Sequence, residues 1–79
     1  MNIIDSPRPL LDWVLRRGRR LLRLQVQRAN DGYQVSISPC GQQKPLYVRL
    51  FRGSPTAFQR HAALVAAFRE AGWTSVAYR

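Results

Sequence analysis

Apolar residues recur at two different spacings along this chain, and the change from one to the other predicts its elements. Leu10, Leu11, Val14 and Leu15 share one helical face. Ser6 can cap such a helix, Pro7 is preorganised for its first turn, and Gly18 can stop it. Further on, Leu22, Leu24 and Val26 alternate with Arg23, Gln25 and Gln27, the period of a strand with one apolar face. The two patterns overlap. Leu21 and Leu22 extend the helical stripe, with Arg16, Arg19, Arg20 and Arg23 opposite it. One amphipathic helix from Pro7 to about Leu24 therefore competes with a helix ending near Arg17 followed by a strand over 20–28. The second reading is preferred.

Asn30-Asp31-Gly32 is the strongest local signal, since Asp-Gly between alternating apolar runs predicts a hairpin turn. With Asp31 and Gly32 at its centre, Val26 faces Ile37, Gln27 faces Ser36 and Gln25 faces Ser38, apolar against apolar and polar against polar. A loop bracketed by Pro39 and Pro45 follows. A third strand is expected over 46–52, with Leu46, Val48 and Leu50 inward and Tyr47, Arg49 and Phe51 on the other side. Ser54 and Pro55 can start a helix, and the alanine-rich stretch from Thr56 to Ala71 favours one. Leu64, Phe68 and Ala71, flanked by Phe58 and Val65, would form its buried stripe, and Trp73 would fold back on Phe68 after Gly72. Thr74 to Tyr78 can add a short strand. The expected fold is α+β: a small three-stranded antiparallel sheet with helices packed on one face, in the order α-β-β-β-α(-β).

A chain of 79 residues makes one domain, 1–79, with 1–5 expected as a flexible tail. Its 46% hydrophobic content is too high for a disordered basic tail. Charge changes the picture most. Thirteen basic residues face four acidic ones, giving a net charge of +9, and all but Lys44 of the thirteen are arginines. Residues 16–23 hold five of them, and no acid lies between Asp12 and Asp31. Arginine-rich codon usage would account for the arginine-to-lysine ratio, and less well for the excess of bases over acids. Clustered like charge points to a polyanionic partner, nucleic acid first. As a basic amphipathic helix the same cluster could lie on an anionic membrane, or it could be a solvated turn.

On the favoured register, the sheet face away from the helices shows Arg23, Gln25, Gln27, Gln34, Ser36, Ser38, Tyr47, Arg49 and Phe51, with no carboxylate. Gln, Arg and Ser read base edges or hold phosphates, and Tyr47 and Phe51 can stack on bases. A solvated antiparallel face is polar in any case. Catalysis has little support, because there are no paired carboxylates, no nucleophile elbow and no Gly-rich phosphate loop. Cys40 reads as a passive loop thiol and His61 as a packing residue; one Cys and one His leave no metal site within the chain. No cofactor is expected. A single cysteine fits a reducing cytoplasm, and neither a signal peptide nor a transmembrane helix is expected.

The α-β-β-β-α order resembles that of double-stranded RNA-binding domains in topology. Those domains carry a Gly-rich loop and a lysine-rich start to the second helix. The corresponding stretch here, Gly53-Ser54-Pro55-Thr56-Ala57-Phe58-Gln59-Arg60, has one basic residue. A three-stranded sheet followed by a helix also looks like the arm-type DNA-binding domains of tyrosine recombinases. The chain is assigned to neither. The expected function is a small non-enzymatic nucleic-acid-binding protein, DNA or RNA, using Arg16, Arg17, Arg19, Arg20, Arg23, Gln25, Gln27, Tyr47 and Arg49. The alternative is a regulator or inhibitor that docks on an acidic protein surface, and the oligomeric state stays open.

Overall fold

The computed structural model describes residues 8–42 and 44–78. The expected tail at 1–5 and the Ser6-Pro7 helix start lie outside them. Five strands and one helix follow in order: β1 (Leu11–Arg17), β2 (Arg20–Ala29), β3 (Gly32–Pro39), β4 (Tyr47–Phe51), α1 (Ser54–Glu70) and β5 (Thr74–Tyr78). The strands form one sheet in the order β4-β3-β2-β1-β5, with every neighbouring pair antiparallel. The three-stranded sheet with two helices is thereby overturned. The topological likeness to double-stranded RNA-binding domains, which needs a helix first, goes with it.

The largest correction concerns the first element. Residues 11–17 are a strand, and the single helix to Leu24 is excluded because β2 starts at Arg20. Leu11, Trp13 and Leu15 pair with Val26, Leu24 and Leu22 of β2. They join the apolar face that α1 covers. In so short a segment the same apolar residues satisfy both periods. Pairing with β2 decides between them, a tertiary gain larger than local propensity. The turn that allows it is Gly18-Arg19. Gly18 has φ +62° at the first centre position of a two-residue loop, where only glycine enters without strain.

The next hairpin forms one step from its expected register. Its two-residue loop is Asn30-Asp31, flanked by the Ala29–Gly32 pair, so Val26 faces Val35, Gln25 faces Ser36 and Gln27 faces Gln34. Partners shift by two, and because the side-chain period is two, no residue changes face. Neither Asn30 nor Asp31 has positive φ. Gly32 is required for another reason: a Cβ there would run into the carbonyl oxygen of Phe51, where the end of β4 passes close by.

In β4 the faces are reversed. Tyr47 pairs with the buried Ile37 and Arg49 with the buried Val35, so Tyr47, Arg49 and Phe51 lie on the helix side. Leu46, Val48 and Leu50 are left 70%, 47% and 66% exposed. Both faces of this strand are apolar enough to bury, and the one carrying two aromatic rings removes more surface from water.

The helix begins at Gly53 as N-cap with no side-chain capping bond, so Ser54 is not the cap; Pro55 occupies the first turn. Ala57, His61 and Val65 are its buried residues, while Ala71 is exposed. Trp73 folds back, its N–H reaching the Phe68 carbonyl at 3.0 Å and its ring meeting Phe68 edge-on at 5.6 Å. Beyond it, β5 pairs with β1, and Tyr78 stacks on Trp13 at 5.0 Å. Leu15, Leu24, Val26 and Val35 are sealed at the centre. No helix among the described residues is long and apolar enough to cross a membrane.

His61 pins the helix to the sheet. It is 2% exposed, its Nε2 donates to the Leu24 carbonyl at 3.0 Å, and its ring meets Trp13 edge-on. Burial pushes its pKa below the ordinary 6.5, with the Leu24 hydrogen bond and the charge of Asp12 opposing. The folded state therefore resists protonation where the unfolded chain accepts it. Stability is full above the unfolded pKa and declines as pH falls below about 6.5. We predict that the melting temperature falls between about pH 7.5 and pH 5, a window with no other histidine to titrate, and that His61→Leu flattens this dependence. A melting temperature that held constant or rose towards pH 5 would contradict the buried neutral imidazole. Gly32→Val should cost more than about 1 kcal/mol in a urea titration, because β4 must shift to admit the new side chain. An unaltered midpoint would rule out the close approach of Phe51.

Candidate nucleic-acid interface

The arginine cluster is the tip of a hairpin. Register places Arg17 opposite Arg20 and Arg16 opposite Leu21, with Gly18 and Arg19 closing the loop. Arg16, Arg17, Arg19 and Arg20 are all exposed. Like charges directly opposite each other repel, so Arg17 and Arg20 cost the hairpin stability unless an anion sits between them. Arg17 also lies against the end of α1: its Nε is 3.7 Å from the position a Cβ on Gly72 would take. There it faces the negative end of the helix dipole.

The remaining candidates do not form one surface. Arg23, Gln25 and Gln27 lie on the sheet face away from α1, with Arg16, Gln34, Ser36 and Ser38. Tyr47 and Arg49 lie on the opposite face, so their assignment to the polar face is corrected. Arg49 instead sits over the Phe51 ring at 5.4 Å. Among the described residues the open face has no aromatic ring, and stacking on it is excluded. It does contain a carboxylate. Asp12, now on β1, pairs with Gln25, and its Oδ1 lies 3.1 Å from Arg23 Nε. The carboxylate is 17% exposed and the arginine 47%. The contact is an ion pair without an aligned hydrogen bond, because Oδ1 accepts none. It is the one ion pair among the described residues, and it takes up part of the charge of Arg23.

The open face also carries aliphatic side chains that the expectation of a polar face omits: Leu21 on β2 and Val48 and Leu50 on β4. Ser36, at its middle, is buried among longer neighbours.

Two features are absent from the expectations drawn from sequence. One is β1, whose signal is present in the alternation Leu11, Trp13, Leu15 and in Gly18-Arg19 as a Gly-first hairpin turn. The other is a groove beside the arginine tip, between the start of β2, the loop after β3 and the end of α1. Leu22, Phe68 and Trp73 lie along it, with Arg19, Arg20 and Cys40 at its sides. No local pattern announces it, because its walls come from four separate stretches of chain.

Among the described residues no three His, Cys, Asp or Glu side chains come together to hold a metal ion. No protein-family model matches this chain, and no curated protein or solved structure matches it significantly.

Proposed function

We propose that this protein is a non-enzymatic nucleic-acid-binding module that contacts phosphates through the tip of its β1–β2 hairpin. The observation that carries the reading is geometric. Arg16, Arg17, Arg19 and Arg20 project exposed from the two sides of one tight turn, and none forms an ion pair among the described residues. Such a concentration of unpaired guanidinium groups costs the isolated fold energy that a row of phosphates would return. Gln25, Gln27 and the partly neutralised Arg23 lie further along β2, on the open face of the sheet. Tyr47 and Arg49 have no part in this contact. The single free thiol and the polyanionic ligand suit a reducing cytoplasm.

A second reading rests on a different observation. β4 is a sheet edge, and Val48 and Leu50 on its open face are exposed, as are Leu46 just before the strand and the basic Lys44, Arg49 and Arg52 along the same edge. An unpaired apolar edge accepts a strand from another protein, and its basic surroundings suit an acidic one.

Anisotropy titrations against duplex DNA, duplex RNA and single strands at two salt concentrations separate the readings. Replacing Arg16, Arg17, Arg19 and Arg20 by Gln should weaken binding at low salt and flatten the salt slope by roughly two to four units, about one for each phosphate no longer neutralised. Val48→Lys should leave nucleic-acid binding intact. If the quadruple variant keeps the parent's affinity and slope, the hairpin tip is not the phosphate site. A parent that binds no nucleic acid at low salt leaves the β4 edge as the better reading.

A further inference from the structure

The groove beside the arginine tip is the feature that the phosphate contacts leave unexplained. It encloses about 560 Å³, within the ~300–1,000 Å³ of small-molecule sites. Its apolar part includes three large side chains. Leu22 is 8% exposed at the sheet, and Phe68 and Trp73 stand against each other edge-on at 5.6 Å, both half-buried. Its sides carry the exposed Arg19 and Arg20, and among the described residues no carboxylate lies along it. A flat apolar body that bears an anionic group matches this combination: the body against Trp73 and Phe68, the anion on the guanidinium groups. A nucleotide is such a body. In a duplex its base is stacked and paired and enters a groove only at the cost of unstacking and unpairing; in a single strand that cost is small.

We infer that the groove takes one unstacked base of a single strand, against Trp73, while Arg19 and Arg20 hold the flanking phosphates. This rests on the hairpin tip being a phosphate site, and it goes further by naming single-stranded nucleic acid as the ligand class. The groove suits a nucleic acid better than an acidic protein, because an acidic side chain would use the arginines and leave the aromatic wall unfilled. Base–aromatic stacking tolerates any base, so the groove confers strand-state preference rather than sequence preference. DNA and RNA single strands share the required chemistry.

Cys40, the single cysteine of the chain, lies in the groove and reports its occupancy in the unaltered protein. The rate of its alkylation by iodoacetamide is measured with saturating oligo-dT, oligo-rU, duplex DNA and polyglutamate. The expected result is a slowing of about tenfold or more by the single strands, with the two arms ranking DNA against RNA, and less than about twofold by duplex or polyglutamate. Cys40→Trp, which fills the groove and leaves the arginines in place, should lower single-strand affinity about tenfold and leave duplex affinity unchanged, in a protein that still melts cooperatively. If all ligands bind but none protects Cys40, or if polyglutamate protects as well as oligo-dT, the groove proposal is overturned while the hairpin-tip reading stands. Unchanged single-strand affinity in folded Cys40→Trp overturns it equally. Should that variant not fold, the protection rates in the parent decide. A parent that binds none of the nucleic acids removes the hairpin-tip reading, and the groove proposal with it.

Discussion

One strand face organises this molecule: Leu22, Leu24 and Val26 of β2, which are buried beneath the single helix and flanked by β1 and β3. Among the described residues one helix covers five strands, so it dries one side of the sheet. Strand pairing therefore has to bring every large apolar group it can to that side. Leu11, Trp13 and Leu15 come from β1, Val35 and Ile37 from β3, and Tyr47 and Phe51 from β4. The bond from His61 to the Leu24 carbonyl ties the helix to the same strand from above. A buried polar group keeps its place only when satisfied, so this bond also fixes how the helix sits on the sheet.

The uncovered side is the consequence. A sheet with one helix leaves a face to solvent, and in this chain that face is mixed rather than simply polar. Gln25, Gln27, Gln34, Ser36 and Ser38 lie beside Leu21, Val48 and Leu50, with the Asp12 carboxylate held by Arg23. Apart from Arg23, the arginine cluster is set at the edge of this face, with Arg16, Arg17, Arg19 and Arg20 gathered at the turn between β1 and β2. At a turn, four guanidinium groups stay hydrated and splay apart, which limits the repulsion that a net charge of +9 imposes. The same arrangement presents them together to any polyanion, and places two of them beside the aromatic groove at the end of α1.

Some of this is legible in the chain. The alternation of Leu22, Leu24 and Val26 marks β2, Asn30-Asp31-Gly32 marks the turn into β3, and the alanine-rich stretch after Pro55 marks α1, because each signal is local and each period distinct. Even the misplaced turn of the second hairpin is harmless for the face assignment: moving the turn by one residue moves partners by two. The density of arginine at 16–23 needs no structure at all. Asp12 is misplaced only because its strand reads as a helix, which hides the carboxylate on the open face.

The sequence by itself determined which segments alternate, where the chain must turn and where its charge is concentrated, since these depend on neighbours a few residues apart. Tertiary structure decided the rest. Residues 11–17 satisfy helix and strand periods alike, and only an unpaired edge of β2 alongside makes the strand the better choice. In β4 both rows carry large apolar groups, Val48 and Leu50 on one and Tyr47 and Phe51 on either side of Arg49 on the other, and which one is buried depends on Phe58 and Leu64 of a helix that follows in the chain. The groove exists only once the tip of one hairpin, the loop after β3 and the end of the helix meet. Local periodicity fixes what a segment can be, but the free energy that chooses between two acceptable periods or two acceptable faces comes from surface buried against distant residues.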